Sequence, residues 1–454
     1  MTRDEREAAT NDTVDTVDTV DTGPVYQQTW RYRVLTGYLW HHPNFIKLWL
    51  GQSCSVFGSA ITSLALPMTA VLYLNATSAE MGLLAAAGTA PFLLFGLLTG
   101  VLVDRIPRRQ ILIAADIGRG LLLGLIPLAA LLKVLQIELL YFITFLASTL
   151  TAFFEVAYLS FLPTLVGREH VVEGNSKLEV SRSIAQISGP GLAGGLVSLI
   201  TAPLTILVDC FSFVISALCF TLIARSDPPS RRRDHGSILH DINDGLVRVL
   251  SDPLLRALSC YAGSINLFSG LFSSIYVLYL IHDLDLSSVS IGIIFGLSTS
   301  GFLVGVLFAG RLATVLGLGR AAMISSVVGG ATLALVPLVQ GPWLLVAILL
   351  TTLHILSGIG GAVYLINMQS FRQAITPEDL QGRIGGTMRF ITWGTLPIGG
   401  LLGGVLGEKL GLRPTLMVGG TGALLSSLIV IFSPIRLLSE HPALSNPRRA
   451  TGTD

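Results

Sequence analysis

Long apolar stretches broken by short polar or charged turns recur along almost the whole chain. The stretch at 81–103 lacks the polar stripe that a soluble surface helix needs, and many of its counterparts come close to the ~20 residues that cross a bilayer as an α-helix. Reading from break to break predicts spans at 48–74, 80–103, 110–132, 139–165, 177–200 and 203–224, then at 254–281, 287–312, 320–339, 343–369, 384–410 and 414–435. These form two groups of six. The expected fold is an all-α polytopic membrane protein, with twelve transmembrane helices arranged as two pseudo-symmetric six-helix bundles.

The polar remainder divides the chain further. Residues 1–43, with the run from Thr13 to Thr22, have too little apolar surface to order themselves and read as a disordered cytoplasmic tail. Residues 44–225 and 254–435 make the two bundles. The linker 226–253 carries Arg231-Arg232-Arg233 and an amphipathic stretch at 238–250 suited to the membrane surface, and 436–454 form a second tail. With both termini in the cytoplasm, about 24 of the Lys and Arg residues fall inside and about 3 (Lys133, Lys409 and Arg413) outside, a strong positive-inside bias. The expected location is therefore the plasma (inner) membrane, with both ends cytoplasmic.

Composition agrees with lipid as the solvent. Of 454 residues 51% are hydrophobic and 13% charged, against roughly 25% charged in a soluble domain, and the mean hydropathy is +0.70. A net charge of +1 implies no nucleic-acid partner. Cys54, Cys210, Cys219 and Cys260 form no Cys-x-x-Cys pair and read as buried small residues, so neither a metal site nor a disulfide framework is expected. The polar N-terminus shows no cleavable signal peptide.

The two halves share landmarks at an offset of about 210 residues. Gly100 to Arg109 follows the second span and Gly310-Arg311-Leu312 the eighth; Gly174 and Gly382 mark matching loops; Gly189-Pro190 and Pro397-Ile398-Gly399-Gly400 mark the fifth and eleventh spans. Two duplicated halves facing each other leave a central cavity, which is how alternating access is built.

These residues resemble the major facilitator superfamily, and within it the drug-exporter branch that includes macrolide efflux proteins and the enterobactin exporter. Gly100, Asp104, Arg105, Arg108 and Arg109 match that superfamily's loop signature between helices two and three, with Pro107 where Gly is often found. Gly189, Pro190, Gly194 and Gly195 are similar to the helix-five motif of antiporters, with Ala193 in place of one Gly. The segments 162–166, 174–179 and 181–183 are similar to the exporter branch in particular. Physically, an Asp- and Arg-rich loop beside helix ends can hold two helices in one state and release them in another, and the same arginines also serve as topogenic charges. Glycines in helix five permit close helix approach.

Charges inside a span cost about 2.5–3.5 kcal/mol each on insertion scales, so they need a partner, a wet cavity or a task. Asp116 and Arg119 lie three apart on one helix face and can neutralise each other, with Arg182 as a third member. Glu155, in the inner half of the bilayer, and Asp209, nearer the outer surface, are candidate proton-coupling carboxylates; structural pairing is the alternative for each. His354 falls near the midplane, where it either carries a coupling proton or packs as a neutral hydrogen-bonded ring. Phe57, Tyr158, Phe268, Tyr276 and Trp393 are candidate cavity aromatics.

No nucleotide-binding loop, zinc-protease or serine-hydrolase pattern occurs, so neither an ATP-driven pump nor an enzyme is expected, and no cofactor. The expectation is a secondary transporter that exports small amphipathic compounds by proton antiport, with lipid, substrate and protons as its partners. A facilitator or importer on the same scaffold, or a membrane receptor, are the alternatives.

Overall fold

The computed structural model describes residues 37–103, 105–224, 246–376 and 381–438. Twelve helices are long and apolar enough to cross a membrane. In the first half they are α1 (Pro43–Met68, continued by a π turn at Thr69–Tyr73), α2 (Ser78–Val103), α3 (Arg108–Leu131), α4 (Ile137–Val166), α5 (Val171–Ile200) and α6 (Ala202–Thr221). The second half comprises α7 (Pro253–His282), α8 (Ser288–Leu316), α9 (Leu318–Leu335), α10 (Trp343–Ile375), α11 (Gln381–Leu410) and α12 (Leu412–Phe432).

Local chemistry sets where these helices begin. Pro43 and Pro253 stand in first turns, where a missing N–H costs nothing. The His42 ring accepts from Phe45 N at 3.2 Å and the Asp252 carboxylate from Leu254 N at 2.8 Å. Thr77 and Glu80 form a reciprocal capping box at the head of α2. At the turn into α12, Gly411 adopts φ +88°; at the equivalent turn into α6 the residue is Thr201, held at φ +91° and ψ 154°. Only glycine visits that region freely.

Helix packing repeats between the halves. In the first, α1 lies against α5 and α6, α3 against α4 and α6, and α2 against α4. In the second, α7 lies against α11 and α12, α9 against α10 and α12, and α8 against α10. The halves meet through α2 with α11 and α5 with α8, which exchange under the same correspondence. Large apolar side chains such as Leu121, Leu307 and Val315 are exposed on the outside, a surface suited to lipid and not to water.

The apolar cores reveal how the bundles sit. One cluster combines residues of both halves, among them Met68, Met81, Val197, Tyr276, Ile291 and Leu416, near the ends of the helices that carry the α1–α2 and α7–α8 turns. At the opposite end, which holds the start of α1 and the end of α12, two clusters form separately. One belongs to the first half, around Phe45, Leu112 and Phe161, and the other to the second, around Leu258, Leu318 and Phe371. Among the described residues the bundles are therefore joined at the far face and parted at the termini face.

Glycines make the join possible. A Cβ on Gly82 of α2 would stand 2.6 Å from Gly404 Cα of α11, and a Cβ on Gly292 of α8 would stand 3.0 Å from Gly194 Cα of α5. The two pairs are related by 210 positions on each side, so the duplication is preserved at its tightest contacts.

Several expectations need revision. Tyr38–His41, assigned to the disordered tail, form a 3-10 turn whose Leu39 is fully buried. Glu173 of α5 accepts from Leu39 N at 3.1 Å and pairs with Lys177 at 3.2 Å, while the Lys177 ammonium lies 4.1 Å from the Trp40 ring centre, so short-range chemistry straps this segment to α5. Of the cysteines only Cys210 is buried and Cys260 is exposed, as its place near the start of α7 allows. Arg231, Arg232 and Arg233 of the linker, Asp104 and most of both tails lie outside the described residues.

Candidate substrate cavity

Between the bundles, on the termini side of their shared core, lies a cavity of about 460 Å³. Its first wall comes from α1. Gln52, Ser55, Ser59 and Ser63 follow one another at three- and four-residue steps, which puts them on one helix face, and all four line the cavity. That stripe was not among the residues expected from the sequence; its helical spacing of polar positions in an apolar span was the available signal. Thr151, Phe154, Glu155 and Tyr158 of α4, Arg182, Gln186 and Pro190 of α5, and Arg119 of α3 also line it from the first half. The second half adds Phe295 and Thr299 of α8. The volume lies within the range of drug-sized pockets, and nearly all its polarity comes from one bundle.

Arg119 and Asp116 are joined as an ion pair, both buried. The guanidinium is sandwiched between the Phe154 and Phe213 rings, 4.3 Å from each centre, so α4 and α6 clamp a cation presented by α3. Arg182 stands apart from this pair. It projects from an exposed position on the cavity wall, and its nearest carboxylate is Glu179 at 3.9 Å, whereas the pair is packed among aromatic rings.

Glu155 is exposed to the cavity, with Arg182, Arg119 and Arg389 as its electrostatic neighbours and no ion pair among the described residues. Asp209 is 1% exposed. Its Oδ1 accepts from Ser212 at 2.9 Å and from Ser59 at 3.4 Å, so the cavity-lining Ser59 links it to the open space. Gly58 lets α1 approach: a Cβ there would stand 2.8 Å from Asp209 Cα.

His354 lies outside the cavity wall. Its Nδ1 is 2.8 Å from Leu350 O and its ring stacks on Tyr276 at 5.2 Å, behind Phe295. Of the candidate aromatics, Tyr158 lines the cavity, Trp393 packs on Phe92 of α2, and Phe268 fills the space beside Gly419 and Gly422.

The end of the loop motif, Arg109 in the first turn of α3, reaches across to α6. Arg109 donates from Nε to Phe220 O at 2.9 Å and from Nη2 to Thr221 O, and Lys47 donates to Leu222 O at 2.7 Å, so two cations cap the C-terminal end of α6. Arg105 is exposed, and Gly100 sits in the last turn of α2. In the helix-five motif, Pro190 lines the cavity, Gly189 faces Ala60 of α1, Gly194 faces Gly292 of α8, and Gly195 opens onto empty space.

A two-bundle cage with charges gathered in one wall is transporter architecture, and the family model described as the Major Facilitator Superfamily matches residues 48–395. The chain belongs to the major facilitator superfamily. It is similar to the multidrug efflux pump Tap of Mycolicibacterium fortuitum, with 26% identity over 83% of this chain and 92% of that one. It is also similar to the enterobactin exporter EntS of Citrobacter koseri, at 26% over 86% and 91%. Among solved structures, a bacterial homologue of the iron transporter ferroportin shares the fold at 19% identity. In its inward-facing state the TM-score is 0.69, covering 86% of this chain and 98% of that one. An outward-facing structure of a bacterial ferroportin homologue also shares the fold, at 20% identity and a TM-score of 0.56 over 86% of this chain and 98% of that one. The chain is therefore a multi-pass membrane transport protein of the superfamily.

Proposed function

We propose that this transporter exports small amphipathic compounds by proton antiport across a bacterial plasma membrane, with both termini in the cytoplasm. The positive-inside count supports that orientation. With it, the parted termini face opens the cavity toward the cytoplasm and inner leaflet, the side from which an exporter loads. The names of the two relatives, an efflux pump and an exporter, support the same direction.

One observation carries the reading. Glu155 is a carboxylate exposed inside an intramembrane cavity, without an ion pair among the described residues, facing Arg182 and the aromatic surfaces of Tyr158 and Phe295. An ionised carboxylate there stands ready for a proton or a charged substrate group, and whichever binds changes the charge that must cross during the switch between states. The mixed lining offers apolar area for the body of a substrate and hydroxyls for its polar atoms.

The test uses inside-out vesicles with an imposed proton gradient and a fluorescent amphipathic substrate. Gradient-driven uptake into the vesicles is expected for the wild type and its loss for Glu155→Gln, with the variant eluting as the same folded species. Unchanged flux in the variant removes Glu155 from the mechanism, and movement down the substrate gradient alone replaces antiport by facilitation.

A further inference from the structure

The buried charges that α3 and α6 bring together do not balance. Asp116, Arg119 and Asp209 are 0%, 5% and 1% exposed, and Arg119 is the electrostatic neighbour common to both carboxylates. Two carboxylates against one guanidinium leave one negative charge in a membrane-embedded core, where an uncompensated charge is costly and buried charges are paired or hold a metal. Asp116 takes Arg119 as its direct partner, so the uncompensated charge resides at Asp209.

We infer that the oxygen cluster around Asp209 is a binding site for a monovalent alkali cation, with sodium as the chemical type, entered from the cavity past Ser59. The side-chain groups that hydrogen-bond the carboxyl are all hydroxyls, oxygen donors of the kind that hard cations take. Ser59 and Ser212 contribute hydroxyls to Oδ1. Ser212 also lies 2.8 Å from the Asp209 carbonyl, so its proton has a second acceptor when a lone pair turns to a cation. Thr62, three residues on from Ser59, lies beside the same carboxyl and offers it a further hydroxyl.

Gly58 brings the α1 backbone against the site: a side chain there would run into Ser212 Oγ and Asp209 Oδ1. A single positive charge brings the cluster to neutrality, whereas a divalent ion would reverse the imbalance. The other charged or titratable groups facing the site are Arg119 of α3, already matched by Asp116, and the neighbouring Cys210 thiol of α6; α1 presents only hydroxyls. Ser59 lines the cavity, so occupancy of this site and of the substrate space would be coupled through α1.

The site is independent of the antiport reading and is tested without transport. The full chain in lipid nanodiscs is titrated with radioactive sodium at pH 7.5, with choline holding ionic strength constant. Saturable binding at one ion per chain is expected. Ser212→Ala, which keeps the charge and removes one oxygen, is expected to weaken it by about tenfold or more, and Asp209→Asn to abolish it. The absence of saturable sodium binding to the wild type overturns the inference and leaves a proton as the neutralising charge. Binding that survives in a folded Asp209→Asn protein, or that is unchanged in Ser212→Ala, overturns it equally. Should Asp209→Asn fail to fold, the Ser212→Ala titration decides.

Discussion

Closure of the far face rests on backbone-to-backbone contact, which makes Gly82 a sensitive lever on the conformational equilibrium. In Gly82→Ala the new Cβ would stand 2.6 Å from Gly404 Cα and 2.7 Å from Gly400 O, both backbone atoms that no rotamer change can move aside. Overpacking of this kind costs about 1–3 kcal/mol. The cost falls only on the state in which α2 and α11 touch, so the ratio of far-face-closed to far-face-open molecules should fall by roughly 5- to 150-fold, at 1.4 kcal/mol per tenfold. Gly292→Ala, whose Cβ would stand 2.5 Å from Pro190 O, should act likewise at the pseudo-symmetric contact. Gly361→Ala, with nothing within 4 Å of its Cβ, is the control. Spin labels placed at the two bundle ends on the termini face report the opening: their distance distribution should shift toward the shorter population in Gly82→Ala and Gly292→Ala and stay put in Gly361→Ala. A lowered melting temperature with an unaltered distance distribution would refute the reasoning, because the contact would then be common to both states.

Two further outcomes follow from local energetics. Arg119→Leu should lower stability by about 3–5 kcal/mol by leaving Asp116 buried without its cation, and Asp116→Asn added to it should recover part of the loss; thermal unfolding of the single and double variants measures the coupling. Thr201→Gly should raise the melting temperature, since it relieves about 1–3 kcal/mol of backbone strain against about 0.5–1 kcal/mol of added chain entropy; a fall in melting temperature would show that φ +91° at this turn carries no strain.

The number of spans, their order and their grouping into two sixes were legible because lipid imposes a one-dimensional rule: about 20 apolar residues must satisfy their own backbone hydrogen bonds. The Asp116–Arg119 pair was legible for a similar reason, since a three-residue spacing on a helix fixes contact before any packing occurs. The offset of about 210 also held, and the structure shows where it is exact, at Gly82 with Gly404 and Gly292 with Gly194. Duplication of the scaffold did not extend to its charges. Asp116 and Arg119 of α3 correspond at that offset to Ser326 and Gly329 of α9, and Asp209 of α6 to Gly419 of α12.

Other features depended on helices remote in sequence. That Glu155 is open to a cavity while Asp209 is sealed behind Ser59 follows from how α4 and α6 are rotated against α1. Arg182 was expected beside Asp116 and instead stands on the cavity wall, because its direction is set by α5 packing against α1 and α8. Residues 38–41 read as tail because a four-residue turn carries no periodic signal, yet Lys177 and Glu173, more than 130 positions away, hold it in place. Hydrophobicity summed along the chain determined which segments enter the membrane; side-chain direction around each helix, a property of three-dimensional packing, decided what those segments do there.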